Sequence, residues 1–362
     1  MKLKNIAIAF LGALLFTTCS KKDDEKEYTA EESKAVVRNT MNNFYDCLKN
    51  LNDGGFANFF HDLLFKETVR DHRGETQSWG NFLGEKFDKQ NFAEGLTEGD
   101  RFNYHRMKGT YTWNKNTELW EKTANNENVT FIFPATKGAT NNGKLVIDQY
   151  EDTETTYRND KVYLPTAAHL YATIDNTKVF EVTVKNVTFE KKTNFTMPLS
   201  AHISIYTNPF TTTIQWNRQN PENFAFDFAF SSPQGCTTSL HADIKLTTSD
   251  YGNISSLEKA IDKIAFTATQ GELRIVGNID VKSLEEKGND RKLRVEEINT
   301  YAKAVLMKGN SKIADVKYEE ESDKGVIYFI FSDGSREKAE SYVSDFQDRV
   351  TEIFKRFERE NN

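Results

Sequence analysis

From Phe102 to Leu246 the apolar positions of the chain recur every second residue, and on either side of that stretch the spacing lengthens to that of a helix. The clearest run is Phe224, Phe226, Phe228 and Phe230, with Ala225, Asp227 and Ala229 between them. Strict alternation buries one face and wets the other, which is the mark of antiparallel sheet. Similar runs at 129–133, 145–150, 168–174, 180–189, 201–206, 211–216 and 240–246 predict further strands. Tyr111 and Trp113, then Asn114-Lys115-Asn116, then Leu119-Trp120 predict a hairpin.

Upstream, Thr29-Ala30-Glu31-Glu32 is a capping box ahead of Val37, Met41, Phe44, Leu48 and Leu51, and Asp53-Gly54-Gly55 ends the helix. A second helix is expected over 56–65, with Phe59, Phe60, Leu63 and Leu64 on one side. Residues 71–100 are polar, Gly-rich and weakly periodic, and read as an irregular surface excursion. Downstream, a helix is expected over 256–264, strands over 264–269 and 273–279, and a charged loop over 282–294. Val295, Ile298, Ala302, Val305 and Leu306 recur at helical spacing with Gly309 as the C-cap. A hairpin of 313–318 and 326–331 precedes a turn at Asp333-Gly334. Val343, Phe346, Val350, Ile353, Phe354 and Phe357 then line one stripe of a terminal helix.

So many consecutive strands without intervening helices exclude a doubly wound fold, and no repeat suggests a solenoid or propeller. The expected class is α+β: a large antiparallel, curved sheet, an open half-barrel or meander, with N-terminal and C-terminal amphipathic helices. Residues 29–362 are expected to form one large β-rich domain, divisible into a helical part (29–100) and a sheet part (101–362). In element order this is similar to the open half-barrels of periplasmic lipid and lipoprotein carriers, an analogy that does not by itself give function.

Lys2 and Lys4 precede an apolar run, Ile6 to Phe16, which is too short to span a bilayer and ends abruptly at Thr17-Thr18-Cys19-Ser20-Lys21-Lys22-Asp23-Asp24. The pattern resembles a bacterial lipoprotein signal peptide with a relaxed lipobox of the Bacteroidetes type. Lys22-Asp23-Asp24 is similar to the signal that sends such lipoproteins to the outer leaflet of the outer membrane. The resemblance implies a signal peptide over 1–18, a lipid on Cys19, a solvated tether over 19–28 and display at the cell surface. Two or more acyl chains hold a protein stably on a membrane, where one binds reversibly.

Removing residues 1–18 takes away two lysines and moves the formal charge from −7 to about −9. An acidic chain without a basic block is a poor partner for nucleic acid. Beyond Cys19 there are only Cys47 and Cys236, which could pair outside the cytoplasm. Cys47 shares a helical face with Phe44, Leu48 and Leu51, however, and that spacing favours a core position over a disulfide.

Catalytic patterns are absent from the sequence. His61, His72, His105, His169, His202 and His241 fall in no zinc-binding spacing. His169, His202 and His241 lie on the wet faces of expected strands, where they read as separate solvated imidazoles rather than one metal site. There is no nucleophile elbow, and Ser332-Asp333-Gly334-Ser335 reads as a turn. Asp152 and Glu154 stand one strand period apart and could face a sugar, but acid-rich segments produce such pairs often. Trp79, Trp113, Trp120 and Trp216 are candidate stacking platforms, although tryptophans paired on strand spacing more often fill a sheet core.

These observations lead to the expectation of a non-catalytic, outer-membrane-anchored lipoprotein that binds an apolar molecule or a glycan, without metal or cofactor. An envelope scaffold or assembly partner ranks second, and a polysaccharide or peptide hydrolase third. An apolar site requires unfilled space among large apolar residues; a glycan site on tryptophans requires exposed, coplanar rims.

Overall fold

The computed structural model describes residues 27–357, apart from 71–72, 95–96, 99–100, 158–159, 192–195, 252–253, 255–256, 289–290, 323 and 345. Residues 1–18, Cys19, the tether as far as residue 26, and His72 lie outside the described residues.

The fold is α+β. Sixteen strands form one open, mostly antiparallel sheet, and the chain divides into two compact units. One unit comprises Lys49–Thr212 with the residues from Ile353 onward; the other comprises the chain through Leu48 with Thr213–Glu352. The first helix among the described residues, α1 (Ala30–Asp53), crosses the division. It starts as the sequence predicts: the Thr29 hydroxyl accepts from the Glu32 N–H at 3.2 Å, and the Glu32 carboxylate accepts from the Thr29 N–H at 2.9 Å.

In the unit beginning at Lys49 the order is α2 (Gly55–Leu64), β1 (Glu67–Arg70), β2 (Thr76–Ser78), α3 (Trp79–Lys89), β3 (Thr97–Glu98), β4 (Arg101–Phe102) and α4 (Tyr104–Met107). The sheet strands follow: β5 (Gly109–Asn114), β6 (Leu119–Thr123), β7 (Val129–Phe133), β8 (Gly143–Tyr157), β9 (Asp160–Ile174), β10 (Thr177–Lys191), β11 (Thr196–Thr207) and the start of β12 (Phe210–Asn220). Here the spatial order is β11-β10-β9-β8-β7-β5-β6, antiparallel except for the parallel pair β5–β7. The β5–β6 hairpin forms as expected, with Trp113 opposite Trp120. Strands β8, β9 and β10 run 15 residues each, longer than their apolar runs, because their far ends are built of polar residues such as Glu151 to Glu154.

The segment expected to be irregular over 71–100 contains α3. Ser78 caps it by accepting from the Asn81 N–H at 3.2 Å, and Trp79, Phe82 and Leu83 are buried on one face. Gly80 and Gly84 obscure this helix in the sequence, since glycine disfavours helix by about 1 kcal/mol relative to alanine. Packing overrides that cost. A Cβ on Gly80 would lie 2.8 Å from the Leu63 carbonyl oxygen, so glycine there allows α2 and α3 to approach closely.

In the other unit, β12 is followed by β13 (Asn223–Ser231), β14 (Thr237–Leu246), α5 (Leu257–Ala260), β15 (Ile261–Gln270), β16 (Leu273–Asp280), α6 (Val281–Gly288), α7 (Val295–Tyr301), β17 (Ala302–Lys308), β18 (Ser311–Glu321), β19 (Lys324–Phe331), β20 (Arg336–Lys338) and α8 (Phe346–Phe354). Successive strands pair in order from β12 to β20. Val37 and Met41 of α1, Leu284 of α6 and Ile298 of α7 share a core with Phe266, Leu273, Ile275, Leu306, Tyr318 and Phe329.

Three expectations are corrected here. Residues 282–294 are not all loop, because Val281 and Leu284 bury one face of α6. The helix expected from Val295 ends at Tyr301. Ala302, Ala304 and Leu306 continue as the buried face of β17, and Gly309, at φ 57°, serves the β17–β18 turn rather than a helix cap. Their spacing fits both periods, and pairing with β16 selects the strand. The helix expected over 256–264 is one turn, α5, before β15 begins at Ile261.

Candidate functional site

In the unit beginning at Lys49, α2 and α3 cover one face of β5 to β8 with an aromatic core. Phe87 lies at the centre of it, with ring centroids 5.4 Å from Phe92, 5.3 Å from Tyr111, 6.1 Å from Trp120 and 5.5 Å from Phe131. The indole N–H of Trp79 donates to the Pro134 carbonyl at 2.7 Å, and that of Trp120 to the Leu83 carbonyl at 3.0 Å. Both rings are therefore apolar bodies with their one polar atom satisfied. Strand β6 is a sheet edge, and Gln90 covers it: its carboxamide accepts from the Trp120 N–H at 2.7 Å and donates to the Trp120 carbonyl at 2.9 Å.

Beside this core is an open groove of about 270 Å³. Leu63 and Leu64 of α2, Gly80, Leu83, Gly84 and Phe87 of α3, and Trp120, Phe131, Phe133 and Leu145 of β6 to β8 line it. Gly84 opens onto it, since a Cβ built there meets no atom within 4 Å. The groove carries no charged side chain, so it can accept an apolar group and offers nothing for proton transfer or metal binding.

A second pocket in the same unit, about 340 Å³, has the opposite chemistry. Arg101 of β4 donates from Nε to Asp152 Oδ1 at 2.9 Å, and its Nη2 lies 2.8 Å from the same oxygen. The Asp152 side chain is 2% exposed, so this pairing compensates a carboxylate withdrawn from water. The guanidinium also stands 5.3 Å above the Tyr163 ring. Burial, followed by the charge of Asp152, raises the Tyr150 phenol pKa. Tyr104 donates to the Ile147 carbonyl at 3.1 Å; burial, then Asp148, raises its pKa as well. Phe102 meets Tyr150 edge-to-face at 5.0 Å. Two irregularities shape the wall: β8 has an extra residue, Asp148, between Ile147 and Gln149, and β9 has an extra residue, Thr166, opposite Glu151 and Asp152.

The residues singled out in the sequence have varied fates. Asp152 enters this pocket, whereas Glu154 is engaged by Lys161 at 3.0 Å and by the Tyr163 hydroxyl at 3.1 Å. Trp79, Trp113 and Trp120 are buried, and Trp216 stacks on Phe224 at 4.8 Å, so none forms an exposed coplanar rim. Cys47 of α1 is joined to Cys236 by a disulfide with Cα atoms 5.9 Å apart.

The strand histidines do not converge. His169 lies between Asp148 at 2.6 Å (Nδ1) and Glu181 at 3.1 Å (Nε2), and Lys178 reaches Glu181 at 2.7 Å. Burial alone would lower its pKa, but hydrogen bonds to Glu181 and Asp148 outweigh that and raise it. In the other unit His241 lies between Asp227 at 2.7 Å and Asp243 at 3.3 Å, and the hydrogen bond to Asp227 is the main cause of its raised pKa. His202 stands on β11, opposite Lys185. Among the described residues no cluster of three His, Cys, Asp or Glu side chains is arranged to hold a metal ion.

Arg101, Tyr150 and Thr166 carry no sequence signal of their own; the strand irregularities that bring them together depend on register, which spacing does not reveal. Comparison with family models, with curated proteins and with solved structures yields no match.

Proposed function

We infer that this chain is a lipid-anchored binding module of the outer membrane, displayed at the cell surface, and that it holds an apolar group in the groove between α2, α3 and the sheet. The observation that carries this reading is the groove itself, about 270 Å³ of space bordered by Leu83, Phe87, Trp120, Phe131 and Leu145. An apolar cavity of about 150 Å³ takes a benzene molecule in another protein, so this volume suits an aromatic ring or a short acyl segment. The burial of Trp79, Trp113 and Trp120 in the core argues against the alternative of glycan stacking on them. An assembly partner needs a broad apolar patch. Among the described residues the large exposed apolar side chains are Leu119, Leu164 and Val276, on three different strands. The anchor rests on the Cys19 pattern.

Titration of the protein with the neutral fluorophore N-phenyl-1-naphthylamine tests the groove. Saturable binding is expected in the wild type and its loss in Gly84→Phe, whose ring would occupy the groove. Equal binding by the two proteins would overturn the reading.

A further inference from the structure

Beyond the apolar ligand, we propose that the pocket between β4, α4 and the paired strands β8 and β9 is a second, independent binding site for a neutral polyhydroxylated ligand, the chemistry of a saccharide. Its polar groups are both donors and acceptors. Arg101 donates, Asp152 accepts, the Tyr150 hydroxyl can do either, and Thr166 adds a further hydroxyl-bearing side chain. A sugar hydroxyl is itself both donor and acceptor, and an array of this kind pairs with several at once.

Charge selects against the obvious competitors. An anion would be drawn to Arg101, but Asp152, buried against that guanidinium, neutralises it, and Glu151 adds negative charge at the rim. A free cation would have to displace Arg101 from Asp152, leaving the guanidinium without its partner. A neutral ligand avoids both costs. Phe102, edge-on to Tyr150, supplies apolar surface for the C–H faces of a ring. The volume, about 340 Å³, lies in the range of small-ligand pockets. The pocket walls are also held in place: the ion pair fixes Arg101 and Asp152, the edge-to-face contact with Phe102 holds the Tyr150 ring, and the extra residue in β9 sets Thr166 at the pocket wall.

The test is calorimetric titration of the full mature protein with glucose, galactose, mannose, N-acetylglucosamine and their short oligomers, with glucuronate and glucosamine as charged comparators. Tyr150→Phe removes one hydroxyl while keeping the ring, and Asp152→Asn keeps an acceptor for Arg101 while removing the charge. The expected result is saturable binding of a neutral sugar that weakens at least tenfold in Tyr150→Phe and in Asp152→Asn and is unchanged in Gly84→Phe. Circular dichroism confirms that each variant is folded; if Asp152→Asn is not, Tyr150→Phe decides. Absence of binding by every neutral sugar overturns the proposal, as does preference for the charged comparators, or binding that Tyr150→Phe leaves intact. Because Gly84→Phe alters only the apolar groove, failure here is distinguishable from failure of the apolar reading.

Discussion

Asp148 reaches Nδ1 of His169 at 2.6 Å from the position where β8 carries one residue more than β9, between Ile147 and Gln149. The irregularity turns toward the imidazole a carboxylate that regular alternation would direct elsewhere. With Glu181 at the other ring nitrogen, both nitrogens face acceptors, and only the protonated ring can donate to both.

A pH-dependent contribution to stability follows. The folded-state pKa of His169 is raised, so its stabilising effect is fully present below the unfolded value of about 6.5 and is lost as pH rises through the folded value. His169→Gln should therefore destabilise most near about pH 5.5 and progressively less toward about pH 9. Urea unfolding of wild type and variant across that range measures the difference. A gap that stays constant or widens with pH would contradict the assignment. His241→Gln should behave in the same way, since Asp227 and Asp243 hold that ring.

Two glycines on one helix should respond in opposite directions. At Gly84 a methyl group meets no neighbour, so Gly84→Ala should stabilise by roughly 0.5–1 kcal/mol through helix propensity. At Gly80 the added Cβ would crowd the Leu63 carbonyl, and Gly80→Ala should destabilise by about 1–3 kcal/mol. Thermal unfolding of the two variants checks this, and effects of the same sign would show that α2 and α3 do not pack as described.

Much of this architecture is legible in the sequence, and the exceptions have physical causes. Phe224 to Phe230 read as a strand because their alternation, within a nine-residue strand, admits no helical alternative. Ala302 to Leu306 were ambiguous because alanine and leucine suit either period, and only the ladder to β16 decides between them. Helix α3 was hidden because Gly80 and Gly84 lower its propensity while serving the contact with α2 and the groove. The polar pocket is barely legible in the sequence: Asp152 stands out as half of an acidic pair, yet its partner Arg101 lies 51 residues away. No periodicity connects residues brought together by a short hairpin and two strand irregularities.

The Cys47–Cys236 disulfide closes a sequence separation of 189 residues. Breaking it, by reductant or by the double variant Cys47→Ser/Cys236→Ser, should cost about 2–4 kcal/mol, chiefly by enlarging the unfolded ensemble. Unfolding midpoints with and without reductant measure this. An unchanged midpoint, with the thiols shown to be free, would contradict it.

The anchor has its own test. Cys19→Ala removes the residue that would carry the lipid and leaves the described fold untouched. The variant should leave the membrane fraction in a detergent-free wash while the wild type remains. Retention of the variant would contradict the lipoprotein assignment.

Occupancy of the groove bears most directly on the proposed function. Wild-type and Gly84→Phe protein, purified from the same membranes, would be extracted and their non-covalently bound molecules compared by mass spectrometry. An apolar compound recovered in near-stoichiometric amount from the wild type and depleted from the variant is the expected result. Equal recovery from both, or none from the wild type together with no binding of the apolar fluorophore, would show that the groove is not a ligand site.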